Sequence, residues 1–364
     1  METATPQKQQ SQATIKNYPA AVKGWLLIGL IMVFGQVVIG GITRLTGSGL
    51  SITKWEIVTG TLPPLNELQW EEAFTLYKQT PQYQKINKGM SMTAFQFIYF
   101  WEYFHRLWAR TMGIVFIVPF LIFWRKGWID KPLMNRLGMI VLLAAIAASF
   151  GWIMVASGLV NRPWVNAYKL TMHLSLGFIL FAYLLWTVFK VFYPQLHSSG
   201  NLALYRWSIG LTAAVGIQII LGGIMSGTKA ALAYPTFPDM QGEWIPDILL
   251  HSTHWQLENF VQYDATPFMV ALVQLLHRSM ALVVTIWAGW FFFKAIKSAT
   301  NPMVTFGLYL LLGILALQVT LGILTLLNSV GSIPVGFGVL HQAGGLLLLG
   351  ACLFLNYQLK PVKH

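Results

Sequence analysis

Charge is what this sequence has least of. Of 364 residues only 10% are Asp, Glu, Lys or Arg, against roughly 25% in soluble domains. None of the four occurs between Ser298 and Leu359. That scarcity excludes an ordinary soluble domain. Cysteine is nearly absent too. Cys352 is the one copy and lies inside the last apolar run, so no intramolecular disulfide and no thiolate metal site can form. The opening stretch METATPQKQQSQATIKNYPA has no apolar core and no arginine, so neither a secretory signal nor a mitochondrial presequence is expected. Residues 1–22 read as a disordered cytoplasmic tail.

What is abundant is apolar length. Hydrophobic residues make up 55% of the chain, in runs near the roughly 20 residues that cross about 30 Å of hydrocarbon. Eight such spans are expected, near Trp25–Ile42, Phe95–Trp124, Leu137–Val160, Val165–Phe189, Trp207–Thr228, Pro267–Phe293, Pro302–Asn328 and Pro334–Leu359. The fold class is therefore an all-α polytopic membrane protein.

An even span count puts both termini on one side. That side gathers Arg125, Lys126, Lys131, Arg136, Lys190, Arg206, Lys294, Lys297 and the terminal lysines, while Glu56, Glu67, Glu71, Glu72, Asp239, Glu243 and Asp247 fall on the other. Short loops rich in Lys and Arg stay cytoplasmic. Both termini are thus expected inside, in a bacterial inner membrane, with the loops near 44–94 and 229–264 facing out. The formal charge of +12 is a topology signal and does not point to nucleic acid.

The chain repeats itself. GQVVIGG (35–41) resembles IQIILGG (217–223), EYFHR (102–106) resembles QLLHR (274–278), TLPP (61–64) echoes TFPD (236–239), and MHLSLG matches LHQAGG around His173 and His341. Spans three and seven are aligned through Met154/Gly158 and Gln318/Gly322. Two tandem, pseudo-symmetric four-helix bundles follow, residues 23–192 and 201–364, joined by a cytoplasmic linker at 193–200. Each has an even number of spans, so the repeat is parallel rather than inverted.

His105, His173, His277 and His341 lie on alternate spans, each one to two turns from the outward end. Repeat-related imidazoles facing each other in a four-helix bundle suit axial ligation of haem. His105 with His173 makes one site and His277 with His341 a second. Zinc or copper usually gathers three or four ligands in one place, whereas these group two and two. His197, His251, His254 and His364 read as solvated.

Glu102 lies one turn before His105 and can pair with Arg106 four residues on. The second half keeps the arginine, as Arg278, but has Gln274 in place of the carboxylate. That asymmetry points to proton chemistry in the first half and cofactor binding in the second. Arg106 and Arg278 are candidates for the haem propionates.

Taken together, GGITRLTGSGLSITKWEIVTGTLPPLN (40–66), EYFHRLWARTMG (102–113), YPTFPDMQGEWIP (234–246), LLHRSMAL (275–282) and LHQAGG (340–345) resemble the haem A synthase family, in the branch shared by Gram-negative bacteria and mitochondria. The resemblance spans about residues 24–357. It implies oxidation of the C8 methyl of haem O to a formyl group, giving haem A for cytochrome oxidase. It further implies that His105 and His173 flank the substrate, that His277 and His341 ligate haem b, and that Glu102 takes part in the reaction. A haem O synthase, an electron donor or acceptor and a second copy of the chain are candidate partners, beside the lipid bilayer. Some members carry a cysteine pair in the first outer loop; this chain has none there, which closes that redox route.

Two other classes share the four histidines: a quinol-linked di-haem cytochrome b, and a haem transporter or chaperone. Neither needs the Glu102/Gln274 difference. If both His105 and His173 ligate the substrate iron, either one imidazole leaves or the ring methyl is oxidised indirectly and attacked by water, with Glu102 as general base.

Overall fold

The computed structural model describes residues 17–53, 61–159, 162–194 and 201–361. Among these the chain is helical, apart from short 3₁₀ turns and an isolated bridge between Met240 and Glu243. In chain order the helices are α1 (Ala20–Leu45), α2 (Glu67–Lys78), α3 (Pro81–Lys85), α4 (Met92–Arg125), α5 (Lys131–Gly158), α6 (Ala167–Phe192), α7 (Leu202–Gly227), α8 (Leu257–Val261), α9 (Phe268–Ile296), α10 (Pro302–Leu327) and α11 (Val335–Leu359). Eight of them, all but α2, α3 and α8, are long and apolar enough to span a bilayer. The chain is a multi-pass membrane protein whose spans match the expected ones to within a few residues.

Polar residues at the turns set the helix starts. The side chains of Asp130, Asn166, Asn201 and Asn301 accept hydrogen bonds from backbone N–H groups in the first turns of α5, α6, α7 and α10, satisfying donors the helix leaves unpaired. The start of α1 corrects the expected tail. Pro19 takes the cap position, the helix begins at Ala20, and Val22 is fully buried. Lys23 lies within the helix with its ammonium donating to Asn17 and standing 5.9 Å over the Phe192 ring, the usual reach of a long amphipathic side chain. Residues 1–16 of that tail, and 195–200 of the expected linker with His197, fall outside the described residues.

At 34 residues, α4 is about 50 Å long, well beyond the hydrocarbon. Its first turns project past the membrane and are covered by α2 and α3. Phe95 and Ile98 pack there against Phe74 and Tyr77, with Trp70, Tyr83 and Tyr99 around them. Gln82 ties this cap to the end of α1 by donating to the Gly47 carbonyl at 2.8 Å.

Within the membrane α1 packs on α4 and α6, and α6 on α5; α7 packs on α9 and α11, and α10 on both α9 and α11. The two sets meet through α1, α6, α7 and α11. At their junction Arg44 donates to the carbonyl of Ser226 at 2.8 Å. These two positions are 182 residues apart, the same offset that relates Gln36 to Gln218, so equivalent points of the repeat touch each other at its centre.

Candidate functional site

The four spanning histidines come from α4, α6, α9 and α11, and the structure groups them two and two. The His277 and His341 rings have centroids 6.4 Å apart and planes at 76°. Two imidazoles on opposite sides of one iron, with metal–nitrogen bonds of about 2 Å, place their ring centres about 6 Å apart. His341 Nδ1 donates to the Gln318 carbonyl at 3.1 Å and His173 Nδ1 to the Ala147 carbonyl at 2.9 Å. A carbonyl only accepts, so both rings carry the proton on Nδ1 and present the lone pair of Nε2 for ligation.

A glutamine accompanies each of three histidines. The Gln36 amide nitrogen lies 2.9 Å from His105 Nε2, and that of Gln218 lies 3.2 and 3.3 Å from the two nitrogens of His277. All three of Gln36, Gln218 and Gln318 also donate to the backbone carbonyl of their histidine. Their side-chain oxygens are buried with no partner among the described residues. The donor set of both pairs and the ring spacing of the second fit a bis-imidazole haem.

Each imidazole also rests on a glycine of the neighbouring helix. A methyl group added at Gly40 would stand 3.1 Å from His105 Nε2; at Gly151, 3.0 Å from His173; at Gly222, 3.3 Å from His277; at Gly322, 2.8 Å from His341. This corrects the alignment of spans three and seven. The partner of Gln318 and Gly322 is Ala147 and Gly151, not Met154 and Gly158; Gly158 instead meets Leu50. The slip is seven residues, two helical turns. It keeps the same face and a glycine sits at both places, so the pattern alone could not separate them.

Glu102 is the sole acidic residue in the eight spans and is 3% exposed. Its Oε2 accepts from Ser51 Oγ and from the Ile52 N–H, both at 2.8 Å, and its Oε1 accepts from Arg106 at 2.5 Å. Arg106 also donates to the Ile52 carbonyl at 3.3 Å. In the second half Gln274 donates to the Tyr234 carbonyl at 2.8 Å, as does Arg278 at 2.9 Å. Ile52 and Tyr234 are again related by the 182-residue offset. Both halves therefore fasten the loop after their first span with this pair of side chains. The carboxylate does so by accepting and the amide by donating. Arg278 further donates to the carbonyls of Pro238 and Asp239. Both arginines, the candidates for haem propionates, hold loop backbone, and Arg278 keeps a buried Nε with no partner among the described residues.

Above Glu102 a cleft of about 360 Å³ opens between the first loop and α4, lined among others by Ile52, Leu65, Glu72, Tyr99, Tyr103, Arg106 and Arg110. Sequence marks Glu72 only as an outward-facing charge and gives no sign that it or Leu65 lines a cleft, because only the folding of the first loop back over α4 brings them here. His251 and His254 stay in the far loop, where His251 bonds Asp247 at 3.0 Å, away from the four spanning imidazoles.

Gln342, next to His341, donates to the Val37 carbonyl at 2.7 Å. Val37 follows Gln36, so α11 and α1 are tied at the level of both histidine pairs.

Comparison with known proteins gives the family. Residues 23–353 match the COX15-CtaA family model, described as cytochrome oxidase assembly protein. A haem A synthase of Nitrosospira multiformis is 41% identical over 364 residues, covering 99% of both chains. One from Nitrosomonas eutropha is 38% identical over 96% of each. Haem A synthase COX15 of Arabidopsis thaliana is 39% identical over 92% of this chain and 74% of its own. With residues 23–353 matched and relatives of 38–41% identity covering 92–99% of its length, the chain belongs to the COX15-CtaA family.

Proposed function

We propose that the chain is a haem A synthase, which oxidises the C8 methyl of haem O to a formyl group and releases haem A for cytochrome oxidase. The observation that carries this reading is the paired, glycine-seated histidines of two repeated bundles, in a chain whose full-length relatives bear that name.

In this reading His105 and His173 hold the substrate, haem O, and His277 and His341 hold a haem b. The haem b supplies one-electron transfer when bound. Gln218 and Gln318 fix the second pair by their backbone contacts, and Gly222 and Gly322 let the imidazoles lie flat against α7 and α10. Conversion of methyl to aldehyde takes two successive two-electron oxidations, with the four electrons passing to an acceptor outside this chain or to O₂, the oxygen coming from O₂ or water, and protons leaving at each stage. Glu102 is the carboxylate placed to take one of those protons, at Oε1 or Oε2. Both oxygens now accept hydrogen bonds, so taking up a proton turns an acceptor against a donor and loosens the loop at Ser51–Ile52.

Both histidine pairs sit in the half of the membrane away from the termini. The excess of Lys and Arg at the terminal side supports an inside location for both termini, and hence chemistry in the outer leaflet of an inner membrane.

The experiment replaces His105 or His173 with Ala in protein that retains its second-half haem. Conversion of supplied haem O should cease while the b-type absorption persists. Continued conversion would contradict the assignment of the first pair to the substrate.

A further inference from the structure

The two bundles differ in one respect that their repeat does not predict. In the second, each neighbouring pair of the four helices packs together, α7 on α9, α9 on α10, α10 on α11 and α11 on α7, which closes a ring. In the first, α1 packs on α4, α6 on α1 and α5 on α6, but α4 and α5 make no comparable packing. Ile114, Ile117, Val118 and Leu121 of α4 are exposed, and no residue of its most apolar stretch is buried.

Particular residues account for the difference. On the second side Phe292 of α9 and Tyr309 of α10 meet edge to face, with centroids 5.4 Å apart. The offset relating His105 to His277 carries Phe120 onto Phe292. The offset relating Gly151 to Gly322 carries Gly138 onto Tyr309. The aromatic clasp of the second bundle is thus half deleted in the first. Gly138 is exposed, and a methyl group added there meets nothing within 4 Å. From Gly151, against His173, to Gly138 is 13 residues, about 20 Å of helix. The α5 sequence between them, MIVLLAAIAASF (139–150), has one hydroxyl and no charge.

We infer that the seam between α4 and α5 is the binding groove for the isoprenoid tail of the haem substrate. This rests on the first pair being the substrate site. The seam lies between α4, which carries His105, and α5, which seats His173 at Gly151; it is apolar and faces the bilayer along about 20 Å of helix, which suits a prenyl chain. The second bundle is closed at the same place, where a haem without such a tail would leave an open seam unfilled.

The test introduces Gly138→Tyr, restoring the residue found in the closed bundle. Haem O and protohaem, which lacks the tail, are titrated separately into protein already carrying its second-half haem, and bis-imidazole absorption at the first site is followed. Haem O retention should fall by about tenfold or more, as for an overfilled packing site, while protohaem retention is unchanged. Gly138→Ala should behave as the wild type. If Gly138→Tyr does not keep its second-half haem, Gly138→Leu is the smaller obstruction with the same expectation. Equal loss of both haems, or loss of neither, overturns the inference; in the latter case the seam holds only lipid acyl chains. Failure of the enzymatic reading looks different: a wild type that binds haem O and never yields haem A.

Discussion

At the scale of single residues the account turns on contacts of a few tenths of an ångström. Gly322→Ala puts a methyl 2.8 Å from His341 Cε1, closer than carbon atoms tolerate, so the ring must swing. Overpacking of this kind costs about 1–3 kcal/mol. Haem content of the purified variant should drop, and the remaining b-type spectrum should broaden. His277→Ala or His341→Ala should remove the stably bound haem outright, read from the pyridine haemochrome; a double variant with full haem content would contradict the second-half assignment. Glu102→Gln separates two roles. An amide there keeps one accepting oxygen but turns its NH₂ toward the donors on the other side, either Arg106 or Ser51 and Ile52, at a cost of about 1–3 kcal/mol, and product formation should fall by roughly 10²–10⁴-fold if a general base is lost. Ser51→Ala removes one of the fastening bonds and leaves the carboxylate. Near-normal turnover in Ser51→Ala beside a large loss in Glu102→Gln is the outcome expected for a base. Equal losses in the two would make Glu102 a loop fastener only.

At the scale of helices, the eight spans and their histidines were legible because hydrocarbon imposes a length and penalises charge. The same simplicity hid other features. α2 and α3 belong to a polar loop with no membrane to mark them, although Asn66 and Thr80 are good caps and each accepts from the first turn of its helix. The Glu102/Gln274 difference was visible, but its structural half was not: one side chain accepts from Ile52 and the other donates to Tyr234, and sequence carries no sign of which backbone group lies opposite. The register of α5 against α10 slipped by two turns because Gly151 and Gly158 share a face. The loop cap offers a check. Asn66→Ala removes the bond to the Gln69 N–H and should cost about 0.5–2 kcal/mol of local stability. Limited proteolysis should then cut within 66–78 sooner than in the wild type; unchanged kinetics would mean the cap on α4 is held by its aromatic packing alone.

At the scale of the whole molecule, a parallel repeat carries two histidine pairs, to which the proposed function gives different tasks. The bundles share histidines, glutamines, glycines and loop-fastening arginines, and they differ at a carboxylate and at the α4–α5 seam. Their tie through Arg44 with Ser226 and Gln342 with Val37 keeps the two pairs at one level of the membrane, on the side away from the termini. Labelling of a single cysteine placed near Asn66, in Cys352→Ala protein, should therefore proceed from outside intact spheroplasts, while reporters on both termini respond from the cytoplasm. Labelling of the 66 position from the cytoplasmic face alone would invert the topology and move the chemistry to the other leaflet. The central claim has a more direct test. Aerobic cells making this chain together with a source of haem O are extracted, and the pigments are separated and identified by mass and absorption. The account predicts haem A in the wild-type extract and its loss, with haem O accumulating, in His105→Ala. Haem O alone from the wild type, in cells that hold the folded, haem b-loaded protein, would contradict it.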